Sequence, residues 1–182
     1  VYSFINIMGL ALGMACSLMI MLWVQDEMDM DAFHENGPRL YRVMENQHYS
    51  GKIETYASTP GILSDNIVKD IPEIEKASQM LWEEEPIFTV GNTFDKEKGR
   101  YVQGDFLNMF SYQLEQGDAN AALKRPDGVV ISKKLAKKYF PNQNPMGKSI
   151  RIDSKEDMMV TGVLKDIPQH SSLKFDFLMS YD

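Results

Sequence analysis

Cysteine is almost absent: Cys16 is the only one in 182 residues, so no disulfide can form within the chain. Basic residues are outnumbered, 19 Lys and Arg against 26 Asp and Glu, for a formal charge of −7. That balance argues against a nucleic-acid binder, which ordinarily carries a basic face. With 8 Pro and 12 Gly, the chain is too poor in both to be collagen-like or disordered. Charge is missing altogether from residues 1–24, and no Lys or Arg occurs before Arg39.

What fills that uncharged stretch is apolar. Residues 1–24 read VYSFINIMGLALGMACSLMIMLWV, with 19 apolar side chains. As a helix they span about 36 Å, enough to cross a hydrocarbon core of about 30 Å with some tilt. A signal peptide would carry a shorter apolar region behind a basic stretch. A lipidation box ending at Cys16 is opposed by Gly13 three places earlier and by the apolar residues 17–24 that follow. The reading is therefore a transmembrane helix over 1–25, a juxtamembrane helical extension over 26–38 and an extracytoplasmic domain over 39–182. The run begins at Val1 rather than Met, so a further N-terminal stretch is expected ahead of it.

Gly9, Gly13 and Ser17 recur at a spacing of four, with Ala11 and Ala15 alongside. They share one helix face, where a second helix can approach closely. The other reading is that small residues are simply common in membrane helices. Trp23 stands where an interfacial aromatic anchor belongs. After Val24 come Asp26, Glu27, Asp29, Asp31 and Glu35, an acidic flank with no basic residue. Cytoplasmic flanks are enriched in Lys and Arg, so the domain is expected outside the cytoplasm.

Beyond the membrane run, QDEMDMDAFHE has no helix breaker before Gly37-Pro38. Residues 40–49 and 53–57 alternate around Ser50-Gly51-Lys52 and predict a hairpin. Thr59-Pro60 predicts a helix start running to about Asp70. Strands are expected over 77–82, 87–90, near Tyr101-Val102, and over 128–131, 150–153, 158–164 and 175–179, with short helical turns at 105–107 and 118–123. Residues 132–140 read as an amphipathic helix, with Lys133, Lys134, Lys137 and Lys138 wet and Leu135, Ala136, Tyr139 and Phe140 inward. Strands and helices mix without βαβ repetition, so the class is α+β: one transmembrane helix followed by a mixed domain.

No constellation in the chain points to catalysis. Gly147-Lys148-Ser149 looks like the tail of a phosphate loop, but position 142 is Asn where that loop needs Gly, and a strand follows instead of a helix. Asp29-Met30-Asp31 opens like a calcium loop, yet its sixth position is His34 and its twelfth Leu40. On a continuous helix, Glu27, Asp31 and His34 would share a face that could hold a metal, although such acidic clusters are ordinarily just solvated. His48 and His170 are scattered, with no HExxH or nucleophile elbow. The expectation is no catalytic, cofactor or metal site.

Six segments in order resemble one family: FINIMGLALGMACSLMIMLWVQDE, DAFHENGPRLYRV, TPGILSDNIVKDIPEIE, GDFLNMFSYQLEQGDANAAL, VVISKKLAKKYFPNQNPMGKSI and VTGVLKDIPQHSSLKFDFLMS. Together they resemble the N-terminal part of an ABC-transporter permease with a MacB-like periplasmic core domain, in the FtsX-like permease family. Pro38 and His170-Ser171-Ser172 depart from the family pattern without touching a chemical role. The resemblance implies an inner-membrane subunit that transmits motion from a cytoplasmic ABC ATPase to a periplasmic domain, for export or efflux. It implies a permease dimer partner, a periplasmic adaptor or substrate protein, three further membrane helices downstream, and no cofactor. A membrane-anchored sensor or binding domain would share this layout, as would a tethered enzyme, which should also offer catalytic residues.

Overall fold

Tyr2–Met28 forms one helix, α1, with no buried residue and enough length and apolar character to cross a membrane. The computed structural model describes residues 2–181, so Val1 and Asp182 lie outside the described residues. The helix does not run on to residue 38 as its sequence suggests. It ends at Met28, turns follow, and a single 3-10 turn spans Gly37–Arg39 with Pro38 in it. The cause is tertiary. Asp31 takes a left-handed conformation (φ 58°) that no helix can contain, and His34 is pulled under the domain.

A two-stranded hairpin follows, β1 (Glu45–Tyr49) and β2 (Lys52–Tyr56), antiparallel with Tyr49 opposite Lys52. Its two-residue loop has positive φ at both Ser50 (49°) and Gly51 (78°), the hand that matches strand twist. The next helix, α2, occupies Leu63–Asp70 and starts later than Thr59-Pro60 predicts. Pro60 instead lends its carbonyl to a turn closed by the N–H of Leu63 (3.0 Å), and no side chain caps the helix.

The main sheet has nine strands: β3 (Met80–Glu84), β4 (Ile87–Val90), β5 (Thr93–Lys96), β6 (Gly99–Val102), β7 (Leu114–Gly117), β8 (Gly128–Ser132), β9 (Ser149–Ile152), β10 (Glu156–Leu164) and β11 (Phe177–Ser180). Their order is β3-β6-β11-β8-β10-β9-β4-β5, with β7 also paired to β10. The β10/β8 and β11/β6 pairs are parallel and the others antiparallel. Two short helices decorate it, α3 (Phe106–Met109) and α4 (Lys133–Tyr139), the latter capped by the Ser132 side chain, which accepts from the N–H of Leu135.

The sheet curls strongly. Phe88 on β4 and Phe177 on β11 have ring centroids 4.8 Å apart although four strand steps separate them. A flat sheet, at about 4.8 Å per step, would hold them roughly 19 Å apart. The concave side packs Phe88, Val129, Ile131, Leu135, Ile150 and Phe177, and the other side packs Val130, Phe106, Leu123, Leu164 and Leu178. Both faces are covered, which is why β8 and β11 are apolar without alternation. Gly99 permits the closest strand approach: a β-carbon there would collide with the carbonyl of Phe177.

Candidate functional site

On α1, Gly9, Gly13 and Ser17 line one shallow depression flanked by Leu10, Met14 and Leu18. A β-carbon at either glycine would meet nothing within 4 Å. Ser17 turns its hydroxyl back to the carbonyl of Gly13 (2.9 Å), so its polar group is satisfied within the helix. Trp23 lies near the C-terminal end of the helix and is 65% exposed. The structure thus brings the three small residues together on one face and sets Trp23 apart from them.

The other place where distant parts of the chain meet is the joint between α1 and the domain. Asp31 donates its N–H to the carbonyl of His170 (2.7 Å), while its carboxylate accepts the N–H (2.9 Å) and hydroxyl of Ser172. Three residues on, His34 is buried, and its Nδ1 accepts the N–H of Ser111 at 3.1 Å. Glu35 donates its N–H to the Ser111 hydroxyl (2.9 Å), and the Asn36 amide donates to the carbonyl of Met109 (3.2 Å). Asp26, still on the helix, pairs with His170 Nδ1 at 3.1 Å. Within eleven residues, therefore, the chain leaving α1 is fastened to two segments of the domain, 109–111 and 170–172.

Electrostatics at this joint follow from burial. Desolvation holds the His34 pKa below its ordinary value, against the upward pull of Asp31 4.0 Å away. Tyr112, whose hydroxyl shares a 3.0 Å hydrogen bond with Ser171, is pushed up mainly by burial. The face once expected to gather Glu27, Asp31 and His34 does not form, because the helix has ended before Asp31. Among the described residues no group of three His, Cys, Asp or Glu side chains is placed to hold a metal ion.

A second buried polar cluster lies across the domain. Glu97 is 4% exposed, and its Oε1 accepts from Lys138 Nζ (2.6 Å) and from the Tyr139 hydroxyl (2.7 Å). Lys138 also pairs with Asp95 (2.7 Å), so α4 is pinned to the β4–β5 hairpin and its exit. At Gly147-Lys148-Ser149 the chain makes a turn into β9. The N–H groups of Gly147 and Lys148 already serve the carbonyls of Val160 and Pro145, so they form no phosphate cradle.

Sequence reasoning missed both fastenings. His34, Ser111 and Ser172 are far apart in the chain, and nothing local marks them as partners. The left-handed Asp31 is the one feature with a local signal, since aspartate tolerates that conformation better than most residues.

The fold has known counterparts. It is similar to a domain assigned to a permease protein from Porphyromonas gingivalis, at TM-score 0.59 and 24% identity, covering 75% of this chain and 60% of that one. It is also similar to the periplasmic region of MacB from Actinobacillus actinomycetemcomitans, at TM-score 0.52 and 20% identity, covering 66% and 54%. The chain thus spans under two thirds of the length of either structure. No curated protein matches it. The family model described as MacB-like periplasmic core domain matches residues 3–182, α1 included. The chain belongs to the family of MacB-like periplasmic core domains found in ABC-type permeases.

Proposed function

We propose that the chain is the membrane-proximal part of an ABC-transporter permease subunit. In this reading α1 crosses the inner membrane, with the acidic flank and the domain on the periplasmic side. ATP is hydrolysed by a separate cytoplasmic ABC ATPase, and this chain passes the resulting motion to the domain for export or efflux. A second permease copy pairs with it in the bilayer, and a periplasmic adaptor or substrate protein engages the domain.

The observation that carries the proposal is the joint. A domain merely displayed at a membrane needs only a tether. Here eight residues after Met28 are already fastened to two remote segments by Asp31, His34, Glu35 and Asn36. Such a connection suits force transmission, since a helix displacement cannot be absorbed by a slack linker. The placement is tested in cells with a reporter fused after Asp182. A reporter active only outside the cytoplasm should be active there, and activity of a cytoplasm-only reporter at the same position would overturn the orientation.

A further inference from the structure

The hydrogen bonding of His34 fixes its charge at the point where helix and domain are fastened. Its Nδ1 accepts the N–H of Ser111, which only an unprotonated nitrogen can do. The ring is 7% exposed and lies against Phe33, Phe110 and Tyr112, with centroids 4.0, 5.3 and 5.1 Å away. The ionisable groups around it come from three elements. Asp31 lies on its own turn, 4.0 Å from Nε2; Tyr112 lies across the ring; and the 170–172 loop carries His170, itself paired with Asp26. Among the described residues Asp31 is the anion that acts on His34, and both its carboxylate oxygens already serve Ser172. A protonated ring would lose the Ser111 bond and compete with Ser172 for Asp31. It would loosen both fastenings together.

We infer that His34 makes this joint a pH-sensitive latch: a neutral ring fastens the membrane helix to the domain, and protonation of the ring releases it. The inference rests on the mechanical role proposed above for the joint. Its sign follows from the direction of the shift. Because burial lowers the pKa of the docked ring, docking is at full strength above the ordinary histidine value and weakens as pH falls below it. His170 Nδ1 lies 3.1 Å from the Asp26 carboxylate and makes no part of the Ser111 contact, so its replacement can be compared with that of His34.

The test uses the full chain in lipid nanodiscs, with Cys16→Ser and nitroxide labels at Glu27→Cys and Lys124→Cys, both exposed positions. Pulsed electron resonance at about pH 7.5 should give one narrow distance. Towards about pH 5 a broad second population should grow, its ratio to the first rising up to about ten-fold per pH unit, the limit for one linked proton. His34→Asn places an amide oxygen where Nδ1 stood and cannot be protonated; it should stay narrow throughout. His170→Gln should keep the unmodified response. A distribution that stays narrow in the parent chain at both pH values would overturn the latch. So would His34→Asn broadening with acid like the parent, His34→Asn broad at both pH values, or His170→Gln abolishing the response. The measurement involves neither ATPase nor substrate, so its failure would leave the coupling proposal standing.

Discussion

The carboxylate of Asp31 receives both the N–H and the hydroxyl of Ser172, 141 positions further along the chain, while its own backbone is left-handed at φ 58°. One residue thus turns the chain just after α1 and ties it to the last loop before β11. Local strain and a long-range bond are joined at a single position.

Substitution at Asp31 should separate these two contributions. Asp31→Ala loses both bonds and keeps the strained backbone, at a cost of about 2 kcal/mol for a partly exposed site. Asp31→Gly loses the same bonds but relieves the strain, and should be less destabilised by about 1 kcal/mol. Urea titration of the full chain in detergent, followed by circular dichroism, reads the order. Equal losses would mean that the left-handed turn carries no strain.

Much of the domain was legible in the sequence, for physical reasons. The Ser50-Gly51 turn, the amphipathic helix after Ile131 and the apolar strands around Val129 and Leu178 are local signals that tertiary structure reinforces. The cluster around Phe88 and Ile131 could be anticipated in part, because Leu135 and Tyr139 lie on one helix face with Lys133, Lys134 and Lys137 opposite. β7 was not legible: Leu-Glu-Gln-Gly has no strand pattern and is a strand because β10 offers its edge. The helix extension failed for the same reason, as Asp31 and His34 follow partners in segments 109–111 and 170–172. The joint was invisible because its chemistry is distributed over three separated pieces of chain.

The small-residue face of α1 gives a second prediction. A β-carbon at Gly9 or Gly13 meets no other part of the chain within 4 Å, so leucine there should leave the domain folded and α1 helical. If that face seats another permease helix, Gly9→Leu and Gly13→Leu should uncouple ATP hydrolysis from transport in the full-length protein. Leu12→Ile, off the seam, should be silent. Normal transport by both glycine variants would reduce the face to composition.

Tyr139 supplies a pH prediction. Burial first, then its bond to Glu97, raises its phenol pKa above the ordinary value of 10. A raised pKa favours the neutral phenol in the folded state. Its contribution is therefore complete below pH about 10 and is lost as pH rises further, when the unfolded chain ionises. Ultraviolet titration should show a late component that ionises only with alkaline unfolding, to which buried Tyr112 also contributes, and Tyr139→Phe should reduce that component. Smooth ionisation of every tyrosine in the folded protein would contradict the buried Glu97–Tyr139 pair.

The central claim is that motion passes from α1 into the domain through a stiff joint. Its most direct measurement is a flexible Gly-Ser-Gly-Ser insertion after Met28 in the full-length protein, assayed with its ATPase for both transport and ATP turnover. Flexible linkers of this composition behave as random coil and cannot carry a push or a twist. The account predicts that ATP turnover persists while transport falls to background, with the protein still in the membrane at its normal level. Transport at the unmodified rate with the insertion in place would contradict it.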